Sequence, residues 1–440
     1  MEKQKKLWTR RRFLTTAAAG AAGVAVIPHL TGCKPKVVDD SIRLGFIGLG
    51  QQAMFLLNGF MHVPGVRAVA GCDVYGIKRE RFDRRVKAFH EEAGTTADVQ
   101  TFENFEDLLA LDDIDAVVVA TPDHWHALIA IAACRAGKDV YCEKPMTFTI
   151  KEGQELRKVV RETGRIFGLG SQQRSSPEFQ HAVKMVQDGK LGNITQVFAY
   201  VGAPPIPYNL PEEPLPADLN WDLWLGPLPG DIHYNHELNP PISLDPEQNE
   251  QIWGAWRWYK EMGGGFTTDW GAHMFDIAQW GLGMDKNGPV EISPIGDGTE
   301  FIMWKYANGV VMTSEPFNEQ KTKGVKFIGD DGWIEVWRGG FNASDPSLMP
   351  PETEEVEEGP YETRIPHQLN FIEAVKSRQD PVVPVEIAHS SCTVCTLGNI
   401  ACDLKRTVKW DPSTETFVDD TDGAATELLH YDYRAPWKLV

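Results

Sequence analysis

The stretch Gly48-Leu-Gly50-Gln-Gln-Ala53 constrains this chain more than any other. It closes an apolar run, "IRLGFI", and opens an apolar-periodic one, "QQAMFLLNGFMHV". A strand that turns directly into a helix needs the first glycine for the tight turn. The second glycine lets a ligand approach the backbone, and a small third residue lets helix and strand pack closely. The N–H groups at the helix start then attract phosphate. Asp73 stands at the end of the next apolar run, "VRAVAGCD", where a carboxylate binds ribose hydroxyls. Together these features predict a dinucleotide site that includes Gly48, Gly50, Gln51, Gln52, Ala53 and Asp73. The carboxylate repels a 2′-phosphate and favours NAD, while Lys78 and Arg79 leave NADP open. A flavodoxin-like turn without dinucleotide is the alternative reading.

Strands and helices keep alternating after this motif. "IDAVVVATP", "KDVYCEKP" and "RIFGLGSQQ" read as further buried strands. "IKRERFDRRVKAFHEE", "HWHALIAIAACRAG" and "IKEGQELRKVVRETG" read as helices between them. Apolar runs of strand length between helices predict a parallel sheet covered on both faces. The fold class is therefore α/β, with a Rossmann doubly wound domain over 41–165. The pattern changes from 166 to 440. "NITQVFAYVGA" alternates with period two, and Pro-, Trp- and His-containing loops follow. Two hairpins are expected, with Asn308-Gly309 and Asp331-Gly332 at their turns. This predicts a C-terminal α+β domain with an open, mainly antiparallel sheet. The acidic "PETEEVEEG" reads as a solvated loop.

Residues 1–32 read as a signal peptide. A basic start with Arg10 to Arg12 precedes an apolar stretch, Ala17 to Ile27, too short to span a membrane at roughly 20 residues. "TRRRFL" resembles a twin-arginine signal, and "LTGC" resembles a lipobox whose Cys33 is lipidated. Residues 33–40 form a polar linker. The expectation is a periplasmic protein, tethered to a bacterial membrane only through this N-terminal lipid anchor.

Charge narrows the partners. The formal net charge is −19, and without the first 32 residues, which carry six basic side chains and one Glu, it is about −24. That excess argues against nucleic acid and gives no attraction to anionic lipid. Fourteen Trp suit the apolar faces of sugar rings but also build cores. Cys392-x-x-Cys395 lies in "IAHSSCTVCTLGNIACDLKR", which reads as an amphipathic helix burying its thiols rather than as redox or metal chemistry.

Three further stretches carry chemistry. Glu143-Lys144-Pro145 ends a strand of the parallel sheet, where side chains face the cofactor crevice, although a lysine in a turn is commonly a surface residue. "GGGFTTDWGAHMFDIAQWGLG" reads as a helix with Asp269, His273 and Asp276 on one face. A carboxylate beside an imidazole can orient it as a base. Asp269 as a first-turn cap and His273 as a core histidine is the alternative, and the residues alone leave the two even. His233-x-x-His236 and His273 could supply imidazoles to a metal, but the loop spacing matches no ligand set, so no metal is expected.

The ordered set of these motifs resembles the glucose–fructose oxidoreductase/inositol dehydrogenase (Gfo/Idh/MocA) family over essentially all of 41–440. "WDLWLGP", "GSQQRSSPEF", "HQLNFIEAVKSR" and "YDYRAPWKL" are similar to an exported bacterial branch of it. The resemblance implies that Lys144, Asp269 and His273 are catalytic. It places Thr121, Pro122 and His126 on the nicotinamide side, with Glu143 beside the cofactor, and implies dimers or tetramers through the open sheet. The implied reaction is oxidation of a secondary alcohol of a sugar, glycoside or cyclitol. His273, oriented by Asp269, would be the base and Lys144 would stabilise the alkoxide, or the two would exchange roles. Arg174, His233, Trp256, Trp258 and Tyr259 are candidate sugar contacts. Some exported relatives are glycosidases that use NAD transiently, but their α-N-acetylgalactosaminidase branch lacks the Asp-x-x-x-His helix, so that activity is not assigned. The alternative is redox-neutral. Tightly bound NAD would make a keto sugar, allow cleavage or epimerisation, and take the hydride back. A twin-arginine route exports folded proteins, so the cofactor would travel with the enzyme. A non-catalytic sugar-binding lipoprotein is the third reading.

Overall fold

Short apolar runs that cannot stand alone in water pair into two sheets. The computed structural model describes residues 41–244, 252–297, 300–351 and 365–439. The expected signal peptide with Cys33, the expected linker and the acidic stretch 352–359 lie outside them.

The first sheet has six parallel strands: β1 (Ile42–Ile47), β2 (Val66–Cys72), β3 (Gln100–Phe102), β4 (Ala116–Val119), β5 (Asp139–Cys142) and β6 (Phe167–Leu169), in the order β3-β2-β1-β4-β5-β6. Between them run α1 (Gln51–Met61), α2 (Gly76–Glu92), α3 (Phe105–Leu109), α4 (Asp123–Arg135) and α5 (Ile150–Thr163). Every residue of β4 and β5 is buried, as helices on both faces require. Strand order reverses between β1 and β4, which opens a crevice at the carboxyl ends of those strands. The residues that follow β1, β4 and β5 are the glycine turn, "ATP" and "EKP". Strand β3 escaped the sequence reading, because three residues at an edge carry no period. Strand β6 pairs with β5, so this sheet runs past the boundary read at 165.

The second sheet has nine strands in the order β13-β12-β11-β7-β10-β9-β8-β14-β15, with only the β7–β10 pair parallel. They are β7 (Ile194–Tyr200), β8 (Glu291–Ile295), β9 (Phe301–Lys305), β10 (Val311–Thr313), β11 (Gly324–Gly329), β12 (Gly332–Trp337), β13 (Gly340–Ala343), β14 (Val408–Asp411) and β15 (Thr416–Val418). The accompanying helices are α6 (Pro177–Gln187), α7 (Trp221–Leu225), α8 (Gly265–Asp269), α9 (Gly271–Gly281), α10 (Ile365–Ser377), α11 (Val385–Leu404) and α12 (Ala424–Glu427). Val197 and Ala199 of β7 point inward with Trp304, Met312 and Phe327 and meet Phe275 and Ile277 of α9 in one core.

Both expected hairpins form with different turns. Asp330 and Asp331 fill the two-residue turn between β11 and β12, and Gly332 begins β12. Their N–H groups are held by the carbonyls of Asn193 and Leu191, which fixes that register. The β9–β10 connection is longer than two residues, with Gly309 at φ +90°. Cys392, Cys395 and Cys402 are buried in α11, and burial pushes the Cys392 thiol up to about 11. Among the described residues no helix is long and apolar enough to cross a membrane.

Candidate active site

The glycine turn is built as its sequence requires. Gly48 sits at φ +82°, and a Cβ there would come within 2.6 Å of the Thr121 backbone nitrogen. A Cβ on Gly50 would meet nothing within 4 Å, so the backbone at the start of α1 is open to a ligand. No side chain caps that helix start. Asp73 accepts the N–H of Leu49 at 2.7 Å and of Tyr75 at 2.9 Å, which holds its carboxylate at the end of β2. Gln52 donates to Glu143 at 2.7 Å, tying the glycine turn to "EKP". Ala53 and Gln51 are buried.

Gly48, Gly50, Gln51, Gln52 and Asp73 line one open cleft. Thr121 and Pro122 form part of its wall, and the buried Thr121 hydroxyl has no hydrogen-bond partner. His126 lies behind that wall instead of in it. Its Nδ1 is 2.7 Å from the Pro145 carbonyl and its Nε2 is 3.0 Å from the Thr121 carbonyl. Burial lowers its pKa to about 4, so the ring is neutral and donates to one carbonyl, the nearer being that of Pro145. It braces "TP" against "EKP". The opposite wall comes from the C-terminal half, through Leu238, Asn239, Trp253, Trp256 and Arg257. Lys78 is buried and donates to Asn239, so it is already engaged. An open glycine backbone, an uncapped helix start, an unpartnered hydroxyl and a carboxylate at the β2 end fit a dinucleotide.

The cleft ends at Arg257, whose Nε lies 3.6 Å from Asp269 Oδ1. Lys144 comes from the end of β5 and donates to Asp269 Oδ1 at 2.7 Å and to the Asp269 carbonyl at 2.7 Å. Burial alone would raise the Asp269 carboxyl. Lys144 and Arg257 outweigh it and hold that carboxyl below the usual range. Asp123, in the first turn of α4, is 4% exposed. Burial raises its carboxyl to about 8 against the pull of Lys144 and Arg257, so it is neutral at pH 7.

The expected single helix is two. The chain breaks at Trp270, between α8 and α9, with Lys323 and Arg338 lying 4.6 and 4.5 Å from its ring centre. A Cβ on Gly271 would press within 2.7 Å of the Phe275 ring. Trp270 itself stays in the αR region, at φ −98° and ψ −26°. The Asp269 carboxylate accepts from Lys144, with Arg257 alongside. Nδ1 of His273 faces Gln173 at 2.6 Å, while Asp276 takes Arg174 and Ser391.

Arg174 is not a sugar contact. It is 2% exposed, and its guanidinium is committed to Asp276 at 2.7 and 2.8 Å and to Asp285 at 2.6 and 3.1 Å. His233 bonds the Leu210 carbonyl and packs on Tyr208, and Tyr259 is buried on the same Tyr208. Trp258 stacks on Phe266, and Trp256 faces the cofactor cleft beneath Arg257. The sequence reading passed over Arg257, Asp123, Gln173 and Arg338. Arg257 sits between two tryptophans already singled out, which was its only signal. Among the described residues no group of three or more His, Cys, Asp or Glu is placed to share a metal.

Comparison with known proteins agrees with the two-part fold. Residues 42–171 match the oxidoreductase family model for the NAD-binding Rossmann fold. Residues 185–439 match that family's C-terminal alpha/beta domain. A glycosyl hydrolase family 109 protein of Saccharopolyspora erythraea is 33% identical over 211 residues, 44% of this chain and 45% of that protein. The match thus spans under half the length of that relative. Two solved structures share the fold over 84% of this chain and 99% of theirs. They are a levoglucosan dehydrogenase with NADH and levoglucosan, at TM-score 0.58 and 18% identity, and an aldose–aldose oxidoreductase of Caulobacter crescentus, at 0.57 and 21%.

Proposed function

The chain belongs to the Gfo/Idh/MocA oxidoreductase family, and we propose that it oxidises a secondary alcohol of a sugar, glycoside or cyclitol with NAD as hydride acceptor. The observation that carries this reading is the Lys144–Asp269 pair. It joins the end of β5, beside the dinucleotide cleft, to the C-terminal half. Two Lys144 protons are held by Asp269, which aims the ammonium and leaves the third for a substrate oxygen. A fixed cation there stabilises developing alkoxide. Gly48, Gly50, Gln51, Gln52, Ala53 and Asp73 would hold the adenosine and pyrophosphate. Thr121, Pro122 and Glu143 would flank the nicotinamide, which supplies the hydride-accepting carbon when bound. NAD is preferred over NADP, because Lys78 is already held by Asn239.

A second reading keeps the same site and makes turnover redox-neutral. The glycosyl hydrolase name of the relative supports it, as does the wall that the C-terminal half lays over the cleft. A retained cofactor would oxidise a ring hydroxyl, permit elimination or epimerisation, and return the hydride. Export through the twin-arginine-like leader, anchoring through Cys33 outside the cytoplasm, and self-association through the open nine-stranded sheet belong to the same proposal.

Denaturing the purified protein and assaying the supernatant for nicotinamide dinucleotide separates the two. Retained cofactor with cleavage of glycosides, none being added, supports redox-neutral turnover. An empty site that reduces added NAD in step with sugar oxidation supports a dehydrogenase. Failure to bind either form contradicts both.

A further inference from the structure

Three elements converge on His273. Gln173 lies in the turn after β6, His273 on α9, and Arg338 between β12 and β13. Gln173 and His273 are 4% and 5% exposed, so water does not substitute for their partners. One end of the Gln173 amide lies 2.6 and 2.7 Å from two Arg338 nitrogens, and the other lies 2.6 Å from His273 Nδ1. A guanidinium only donates. The atom facing Arg338 is therefore the amide oxygen, and the atom facing Nδ1 is the amide nitrogen, which donates. An imidazole nitrogen that accepts carries no proton. The neutral ring then has its hydrogen on Nε2.

We infer that Arg338 and Gln173 are positioning residues that hold His273 Nδ1 as an acceptor and so lock the neutral ring as its Nε2–H tautomer, the form in which it would serve the oxidation. This rests on the oxidation reading above. Protonating His273 would place an N–H at Nδ1 against the N–H of Gln173, which disfavours the imidazolium.

The test is nitrogen NMR of the full chain labelled with ¹⁵N-histidine, with His273 assigned by its loss in His273→Asn. The expected spectrum has a protonated, pyrrole-type Nε2 and a pyridine-type Nδ1, unchanged from pH 6 to 8. Gln173→Glu reverses the polarity, because a carboxylate accepts from Nδ1–H while keeping Arg338. In that variant the tautomer switches, and His273 titrates at or above the usual value of about 6.5. A wild-type ring protonated at Nδ1, or one titrating normally, overturns the inference even if the variant does not fold. The readout needs no turnover. Failure to oxidise any sugar would therefore count against the functional reading and leave the tautomer standing.

Discussion

Lys144 and Asp269 form one ion pair across the two halves of the protein, with the ammonium 2.7 Å from both the carboxylate and the carbonyl of the same residue. The two side chains are 16% and 17% exposed, enough for a ligand to reach and too little for water to screen the pair fully. Lys144→Met leaves Asp269 with Arg257 and Lys323 as its cations, so its carboxyl rises toward the usual range. A depressed folded pKa stabilises above the unfolded value of about 3.9 and is lost as pH falls through the folded value. The variant is therefore less stable than wild type at pH 7, and the gap narrows at about pH 3. Turnover falls by roughly 10²–10⁴-fold with cofactor binding kept. Denaturant midpoints at the two pH values and parallel kinetics check both outcomes.

The two glycines of the turn separate fold from binding. Gly48→Ala forces a side chain into a left-handed backbone against Thr121 and costs about 1–3 kcal/mol. Gly50→Val meets no protein atom at its Cβ, so the melting temperature holds while NAD binding is lost. Calorimetric titration with NAD beside thermal unfolding of each variant gives the contrast. A Gly50→Val protein that binds NAD normally would remove that turn from the cofactor site.

Asp123 sets a pH dependence of the opposite sign. Its folded carboxyl is raised to about 8, so its contribution is complete below about pH 3.9 and is lost as pH rises through 8. Asn resembles the protonated acid. Asp123→Asn therefore flattens the fall in stability between pH 5 and 8, and a slope unchanged from wild type would show that Asp123 is ionised at neutrality.

Arg174 tests the correction to the sugar contacts. Arg174→Leu strands Asp276 and Asp285 and destabilises by about 3–5 kcal/mol, the cost of leaving a buried charge unpaired. A stable variant whose only defect is a raised KM would restore Arg174 to the substrate.

Much of this architecture was legible because its signals are local. Gly48, Gly50 and Asp73 lie within one βαβ unit, and the apolar runs of β1, β4 and β5 have the length and neighbours of buried strands. Lys144 was legible because it ends such a strand. The arrangement around Asp269 was not. The i, i+4, i+7 spacing set Asp269 beside His273, whereas its carboxylate meets Lys144, 125 positions away in sequence. Arg174 looked like a binding residue because its carboxylate partners stand more than 100 positions away. Gln173 and Arg338 carried no pattern, since an amide orientation exists only once three elements meet.

The most direct test mixes NAD-loaded wild type and Lys144→Ala with a panel of sugars and glycosides and follows the reduced-nicotinamide band in a single turnover. At least one substrate is expected to produce the band in wild type, with none above background in Lys144→Ala holding the same NAD. Equal reduction in both proteins, or none in NAD-loaded wild type across the panel, would contradict it.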